Sequence, residues 1–165
     1  MEFVTKELRI IPLSVEQFRL MLERFDKMED AFKLKHSKQK LDDETKAAMQ
    51  ELYDKAVQHE DEYVWYTNWQ IILKEENVSI GSACFKGEPD ENGVVEIGYG
   101  LDEKYRGKGY MTAALKIMLR WAKAMPHVKK VIALTSKDNA ASQKVLENCG
   151  MKFEREEGDL QYWSI

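Results

Sequence analysis

An α/β fold is predicted, a mixed and mostly antiparallel twisted sheet flanked by helices, with residues 1–165 forming one domain. Three observations predict it. Runs rich in Val, Ile, Trp, Tyr and Phe recur between turn residues from Tyr63 onward. Apolar groups at Met111, Leu115, Met118, Leu119 and Ala122 repeat with a helical period. Immediately before that helix, an apolar strand carrying one carboxylate runs into the glycine turn Arg106-Gly107-Lys108-Gly109.

Taken in order, a first strand covers Phe3 to Ile11 and stops at Pro12, and a helix over Val15 to Phe25 has Ser14 as its cap. Residues 26–62 are dense in Lys, Asp, Glu and Gln. Ala31, Leu34, Leu41, Met49, Leu52, Ala56 and Val57 recur there at intervals that suit one or two exposed helices, whose charged face reads as a solvated surface. Trp65, Tyr66, Trp69, Ile71, Ile72 and Leu73 then lead through the turn Glu75-Glu76-Asn77 to Val78–Phe85, a hairpin. Gly87, Pro89, Asn92 and Gly93 break the chain before the strand at Val94, which makes a three-stranded antiparallel meander. After the helix ends near Pro126, a strand starts at Val128. A helix over Asn139 to Asn148 closes at Gly150, which suits the left-handed position. Met151–Glu156 and Leu160–Ile165 flank Gly158-Asp159 as a final hairpin.

Hydrophobic residues at 44% fit a globular chain, and a net charge of -4 gives no general drive toward nucleic acid or an anionic membrane. Cys84 and Cys149 sit among apolar neighbours without metal-ligand spacing and read as buried free thiols in a reducing cytosol. The N-terminal residues contain no apolar run long enough for a signal peptide or a membrane span, so a cytoplasmic location is expected. His36, His59 and His127 are too scattered for a metal site, and none is expected.

The basic turn reads as a local anion site. A helix N-terminus leaves N–H groups unpaired and carries roughly half a positive charge. Gly107 and Gly109 let an anion approach the backbone, while Arg106 and Lys108 add charge. On the preceding strand, Val95, Ile97, Tyr99 and Leu101 share one face and Glu96, Gly98 and Gly100 the other. Two readings of the glycines stay open. They leave a trough beside the carboxylate and part the strand from its neighbour, freeing backbone groups for something extended and amide-like; or they relieve crowding under a helix while Glu96 points to solvent. A dinucleotide or P-loop site is disfavoured, because neither GxGxxG nor GxxxxGK[ST] is present.

EIGYGL, followed by YRGKGYMTAAL and NAASQKVLENCGMKF, resembles the GNAT superfamily of acyl-CoA-dependent N-acetyltransferases, closest to the branch that includes ribosomal-protein N-terminal acetyltransferases. The family's phosphate signature falls on Arg106, Gly109 and Met111, and Met111 departs from the small residue usual at the last place. The resemblance implies acetyl-CoA as acyl donor. Its pyrophosphate is expected on the backbone amides of Arg106, Gly107, Lys108, Gly109, Tyr110 and Met111, and its pantetheine arm along Tyr99, Gly100 and Leu101. Asn139 matches an asparagine that contacts or orders that arm; from local sequence alone helix capping, by Asp138 or Asn139, is the stronger reading, and the resemblance reverses that order.

An attacking amine must be neutral, yet lysine-type amines have a pKa of roughly 10.4 and α-amines roughly 7.7 to 8.0. Glu96 matches the position from which the family supplies a base, directly or through water. A carboxylate of ordinary pKa, roughly 4.3, is a weak base at neutral pH, so this role calls for burial against apolar walls. A strand N–H near Leu101 is the expected oxyanion donor. The family's thiolate-protonating tyrosine would stand at Leu146 and is missing. Ser142, on the same helical face as Asn139, either replaces it or simply packs where the cofactor passes. The aromatic cluster Tyr63, Trp65, Tyr66 and Trp69 reads as core before it reads as an acceptor pocket. Transfer is expected to be direct, in a ternary complex, since neither cysteine belongs to the catalytic set. The acceptor is a small-molecule amine or a protein N-terminal amine, and homodimers are common in the family. A non-catalytic acyl-CoA-binding or interaction module is the alternative.

Overall fold

Thr5 decides how the chain enters the sheet. Its hydroxyl accepts from the N–H groups of Leu8 at 2.8 Å and Glu7 at 3.2 Å, a side-chain turn that ends β1 (Phe3–Val4) and starts β2 (Leu8–Pro12). The single first strand predicted from Phe3 to Ile11 is therefore two antiparallel strands. α1 (Val15–Glu23) starts as predicted at Ser14, in a capping box with Gln17.

Residues 26–62 fold into α2 (Phe25–Ala31), α3 (Asp43–Gln58) and the start of a 3₁₀ segment, Glu60–Trp65. Their charged faces are solvated, but these helices are not merely exposed. α3 buries Leu52 and Ala56, and its Tyr53 meets Phe18 of α1 edge to face at 5.6 Å. Val57, read as part of the same apolar set, is exposed instead. Leu34 packs with Ile11 and Ile72.

The remaining elements are β3 (Asn68–Leu73), β4 (Val78–Phe85), β5 (Val94–Leu101), α4 (Tyr110–Lys123), β6 (Lys130–Ser136), α5 (Ala140–Asn148), β7 (Lys152–Glu157) and β8 (Leu160–Ser164). The computed structural model, which describes Met1 to Ile165, has one eight-stranded sheet in the order β1-β2-β3-β4-β5-β6-β8-β7. Every neighbouring pair is antiparallel except β5 and β6, which α4 joins by a crossover. β3, β4 and β5 form the expected meander, and Gly150, at φ 82°, closes α5.

The main core lies between the sheet and α4 with α5. At its centre Trp65, Trp69 and Phe85 surround Trp121 at ring distances of 4.7, 5.2 and 5.6 Å, so Trp65 and Trp69 are core residues. A second cluster, built from Phe18, Met21, Leu52, Ala56 and Cys84, seats α1 to α3 on the opposite face. β3 is covered on both sides and is buried throughout.

Gly81 lets β4 and β5 approach closely. A Cβ there would collide with the Gly100 carbonyl oxygen and lie 2.9 Å from Leu101 Cα, both backbone atoms that cannot rotate away. Gly81→Ala is expected to cost about 1–3 kcal/mol, read as a lower urea midpoint at unchanged slope.

Candidate active site

β5 pairs with β6 only from Val94↔Lys130 to Glu96↔Ile132. Beyond that point β6 stays with β8 as far as Ser136, while β5 follows β4 to Leu101, so the two central strands part. The register shows what the parting exposes. The Lys86 N–H donates to the Glu96 carbonyl and the Asp102 N–H to the Ile80 carbonyl. Antiparallel pairing alternates, so Glu96, Gly98 and Gly100 turn their backbone groups to β4, and Tyr99 and Leu101 turn theirs into the gap. The Leu101 carbonyl there accepts from Arg106 Nε at 3.1 Å. Of the two readings of the glycines, the parted strand is the one present.

A cavity of about 410 Å³ follows this gap. One wall is Tyr99, Gly100 and Leu101. The floor is the turn Arg106, Gly107 and Gly109 with Tyr110, Met111 and Thr112, and the far wall is α5 with Asn139, Ala141, Ser142, Lys144, Val145 and Asn148. Gly107 and Gly109 hold φ of 74° and 82°, a left-handed backbone that side chains disfavour, and no atom lies within 4 Å of where their Cβ would stand. The backbone N–H groups from Gly107 to Thr112 donate to no protein acceptor, and α4 has neither a capping side chain nor an acidic residue in its first turn. The result is an open, unscreened cradle of donors at a helix N-terminus, which fits a phosphate. Met111 buries its side chain in the core and keeps its N–H on the cradle.

Asn139 does what local sequence alone suggests: its Oδ1 accepts from the Ser142 N–H at 3.0 Å and caps α5. It also lines the cavity, so capping and a place in the site coincide. Tyr99 reaches across the gap from β5, its hydroxyl 2.7 Å from Ser142 Oγ. Burial pushes the Tyr99 phenol up to about 12, a rise that the hydrogen bond with Ser142 offsets only in part. Leu146, where the family's tyrosine would stand, is fully buried in the core.

Two expected site residues stand apart from the cavity. The Lys108 ammonium lies 5.7 Å from the Tyr105 ring centroid and its side chain does not line the cavity, while its N–H is one of the unpaired donors of the turn. Glu96 is on the opposite face of β5 from Tyr99, with Gly98 and the α1–α3 side of the sheet. Its setting differs from the apolar walls expected of a base: Lys86 Nζ is 2.5 Å from its Oε1, and the carboxylate side chain is 25% exposed. The trough beside it is not bare at Gly98, where Lys86 Cε and Cys84 Sγ come within 3.6 and 3.9 Å of the missing Cβ; at Gly100 it is open. Cys84 thus lies on the Glu96 side of β5, beside Gly98. It is buried, and burial pushes its thiol up to about 11, which withholds the nucleophilic thiolate. Cys149 is likewise a buried free thiol near 11. No group of three or more His, Cys, Asp or Glu side chains is placed to hold a metal ion, and no helix is long and apolar enough to cross a membrane.

Sequence reasoning missed Thr112, Ala141, Lys144, Val145 and Asn148. The last four, at intervals of three, one and three, form one helical face of α5 and extend the face that Asn139 and Ser142 begin. The Lys86 partner of Glu96 had no sequence signal, because it comes from the neighbouring strand by register alone.

A family model described as an acetyltransferase (GNAT) domain matches residues 7–152. An uncharacterized N-acetyltransferase of Bacillus subtilis, YjdG, is 33% identical over 98 residues, which are 59% of this chain and 58% of the relative. The chain therefore spans less than two thirds of that relative's length. Among solved structures, ribosomal-protein-S5-alanine acetyltransferase from Vibrio fischeri superposes with a TM-score of 0.73 at 18% identity, over 100% of this chain and 96% of that one. A spermidine N-acetyltransferase variant from Vibrio cholerae does so with a TM-score of 0.65 at 14% identity, over 98% and 94%. At such identities the likeness is one of fold.

Proposed function

Because the chain belongs to the acetyltransferase (GNAT) family, we propose that it is an N-acetyltransferase that moves an acetyl group from acetyl-CoA to a primary amine by direct attack in a ternary complex. The observation that carries this is the gap between β5 and β6 opening onto an unpaired N–H cradle, a track with an anion site at one end and amide-pairing groups along its side.

Acetyl-CoA, when bound, supplies the activated thioester, with its pyrophosphate as a handle. The amides of Gly107 to Met111 would hold that handle, with the Arg106 guanidinium beside them; the Arg106 N–H, expected among the donors, is already given to the Glu103 carbonyl. Tyr99 would offer strand-like pairing to the pantetheine amides, and the Leu101 N–H would serve the reacting carbonyl. Glu96 takes the proton of the incoming amine, directly or through water. Ser142 gives a hydrogen bond to the departing sulfur; a thiol of pKa roughly 8.5 leaves readily, so no stronger acid is needed. The un-ionised thiol of Cys84 supports direct attack over a covalent acetyl-enzyme.

Amine and donor would meet from opposite faces of β5, and α2 and α3, which make up most of residues 26–62, stand on the Glu96 side, where they shape the approach of the acceptor. The acceptor is a small amine or a protein N-terminal amine. The fold relatives named above act on one of each kind by their names, spermidine and a ribosomal-protein alanine.

Two measurements test the proposal. Calorimetric titration is expected to show saturable binding of CoA and acetyl-CoA, with a higher melting temperature in excess ligand; no binding and no thermal shift refute it. Thiol release is then followed across amines, amino-acid amides, polyamines and N-terminal peptides, and binding without release from any acceptor favours the non-catalytic module. Ser142→Ala is expected to lower kcat about ten-fold, near the lower end of what one hydrogen bond to a charged atom is worth. That is less than the loss from removing the base, and the reverse order would overturn these role assignments.

A further inference from the structure

Tyr99 and Ser142 come from opposite walls of the cavity, one from β5 and one from the first turn of α5, and their hydroxyl oxygens lie 2.7 Å apart. We infer that Tyr99 is a positioning residue for Ser142: its phenol donates to Ser142 Oγ and turns the serine proton toward the cavity, to meet the sulfur of CoA. This rests on the acetyl-CoA site proposed above.

The 2.7 Å contact is open to a donor at either end, and we give the proton to the phenol, which has one proton and two acceptors here, Ser142 Oγ and the Ser142 carbonyl at 3.3 Å. The Oγ contact is the shorter. The Ser142 backbone is meanwhile fixed from the other side, its N–H given to Asn139 Oδ1 at 3.0 Å. With its main chain held by Asn139 and its oxygen accepting from Tyr99, the serine keeps its own proton for the cavity. On α5, the place of the family's tyrosine belongs to the buried Leu146, so the phenol at this wall is supplied from β5 instead.

Magnitudes decide that Tyr99 orients and does not protonate. Burial raises its phenol to about 12. A CoA-like thiol at roughly 8.5 is acidic enough that a phenol roughly three pH units weaker will not hand it a proton. The same shift keeps Tyr99 in its donor form throughout the neutral range, which is what a fixed hydrogen-bond donor requires.

The test reads the bound sulfur and needs no acceptor. CoA labelled with carbon-13 at the carbon bonded to sulfur is titrated by NMR when bound to the wild type, Tyr99→Phe, Ser142→Ala and the double variant. Cys84 and Cys149, both near 11, are unlabelled and titrate higher. The bound thiol pKa is expected to rise by about one pH unit in each single variant, a ten-fold loss of acidity, and no further in the double variant. Equal values in the wild type and Tyr99→Phe, with CoA bound in both, overturn the inference and leave the CoA site standing. A fall in Tyr99→Phe overturns it too, since the serine would then be donating to the phenol. So does an extra rise in the double variant, which would make Tyr99 act without Ser142. Should Tyr99→Phe not fold, Ser142→Ala with an unchanged thiol pKa is sufficient to overturn it. A wild type that binds no CoA refutes the proposed function itself, and this inference with it.

Discussion

Glu96→Gln is expected to lower kcat by about 100- to 1,000-fold while CoA affinity changes less than about two-fold, because general-base catalysis contributes that much and the residue lies outside the cavity. Glutamine keeps the shape and the hydrogen-bonding capacity of the side chain but cannot take a proton. The variant then depends on acceptor molecules that are already neutral. For an α-amine, with a pKa of roughly 7.7 to 8.0, the neutral fraction rises through that range, so the deficit is expected to shrink as pH increases past it. A lysine-type amine, at roughly 10.4, keeps the full deficit to higher pH. The pH profile therefore reports both the role of Glu96 and the class of acceptor. Turnover equal to wild type across the whole pH range would reject Glu96 as the base.

The Lys86 ammonium sharpens this expectation. It occupies the position beside Glu96 Oε1 that a cationic acceptor would otherwise take. Its stem crosses Gly98, and its side chain is more exposed than that of Glu96, at 56% against 25%, so its head can swing into water at little cost. Glu96 is then free to meet an amine, or a water that relays from one. This setting is ionic, and the enclosure by apolar side chains expected from sequence is absent. A relay through water suits such a setting better than direct abstraction in a dry pocket.

The contrast between the two halves of the site explains what was legible in the sequence. The donor half is local: strand, glycine turn and helix run consecutively from Val94 to Lys123, and left-handed glycines, missing caps and alternating faces are all properties of neighbouring residues. Ser14 and Gly150 were legible for the same reason, since a cap is written within four residues of the helix end it serves. What could not be read depends on pairing. Lys86 reaches Glu96 through the β4–β5 register, and Tyr99 reaches Ser142 across 43 residues and a gap that only the sheet creates. The split of the first strand is a different kind of failure. A hydroxyl at Thr5 competed successfully with strand geometry for the N–H of Leu8, in a stretch whose alternation looked continuous. Residues 26–62 misled because their charge dominates the composition, while Leu52 and Ala56 carry the docking.

The cradle gives the second large effect. Gly109→Val is expected to weaken CoA binding on the order of 100-fold, as measured by calorimetry, with acetyl-CoA affected equally. A β-branched residue at φ 82° is a steric outlier, so the turn must shift to accept it. A left-handed backbone costs an ordinary residue about 1–2 kcal/mol, and each charge-assisted hydrogen bond lost from the cradle costs about 1.5–3 kcal/mol. One displaced donor together with part of the backbone strain thus accounts for about 100-fold. General destabilisation is separated by Gly158→Val, at φ 60° in the β7–β8 turn and equally free of neighbours within 4 Å. That variant bears the same kind of strain far from the cradle, and it is expected to lower the melting temperature while leaving CoA affinity intact. If Gly109→Val binds CoA as the wild type does, the pyrophosphate does not lie on this turn, and the cavity along β5 must receive its ligand from the other end.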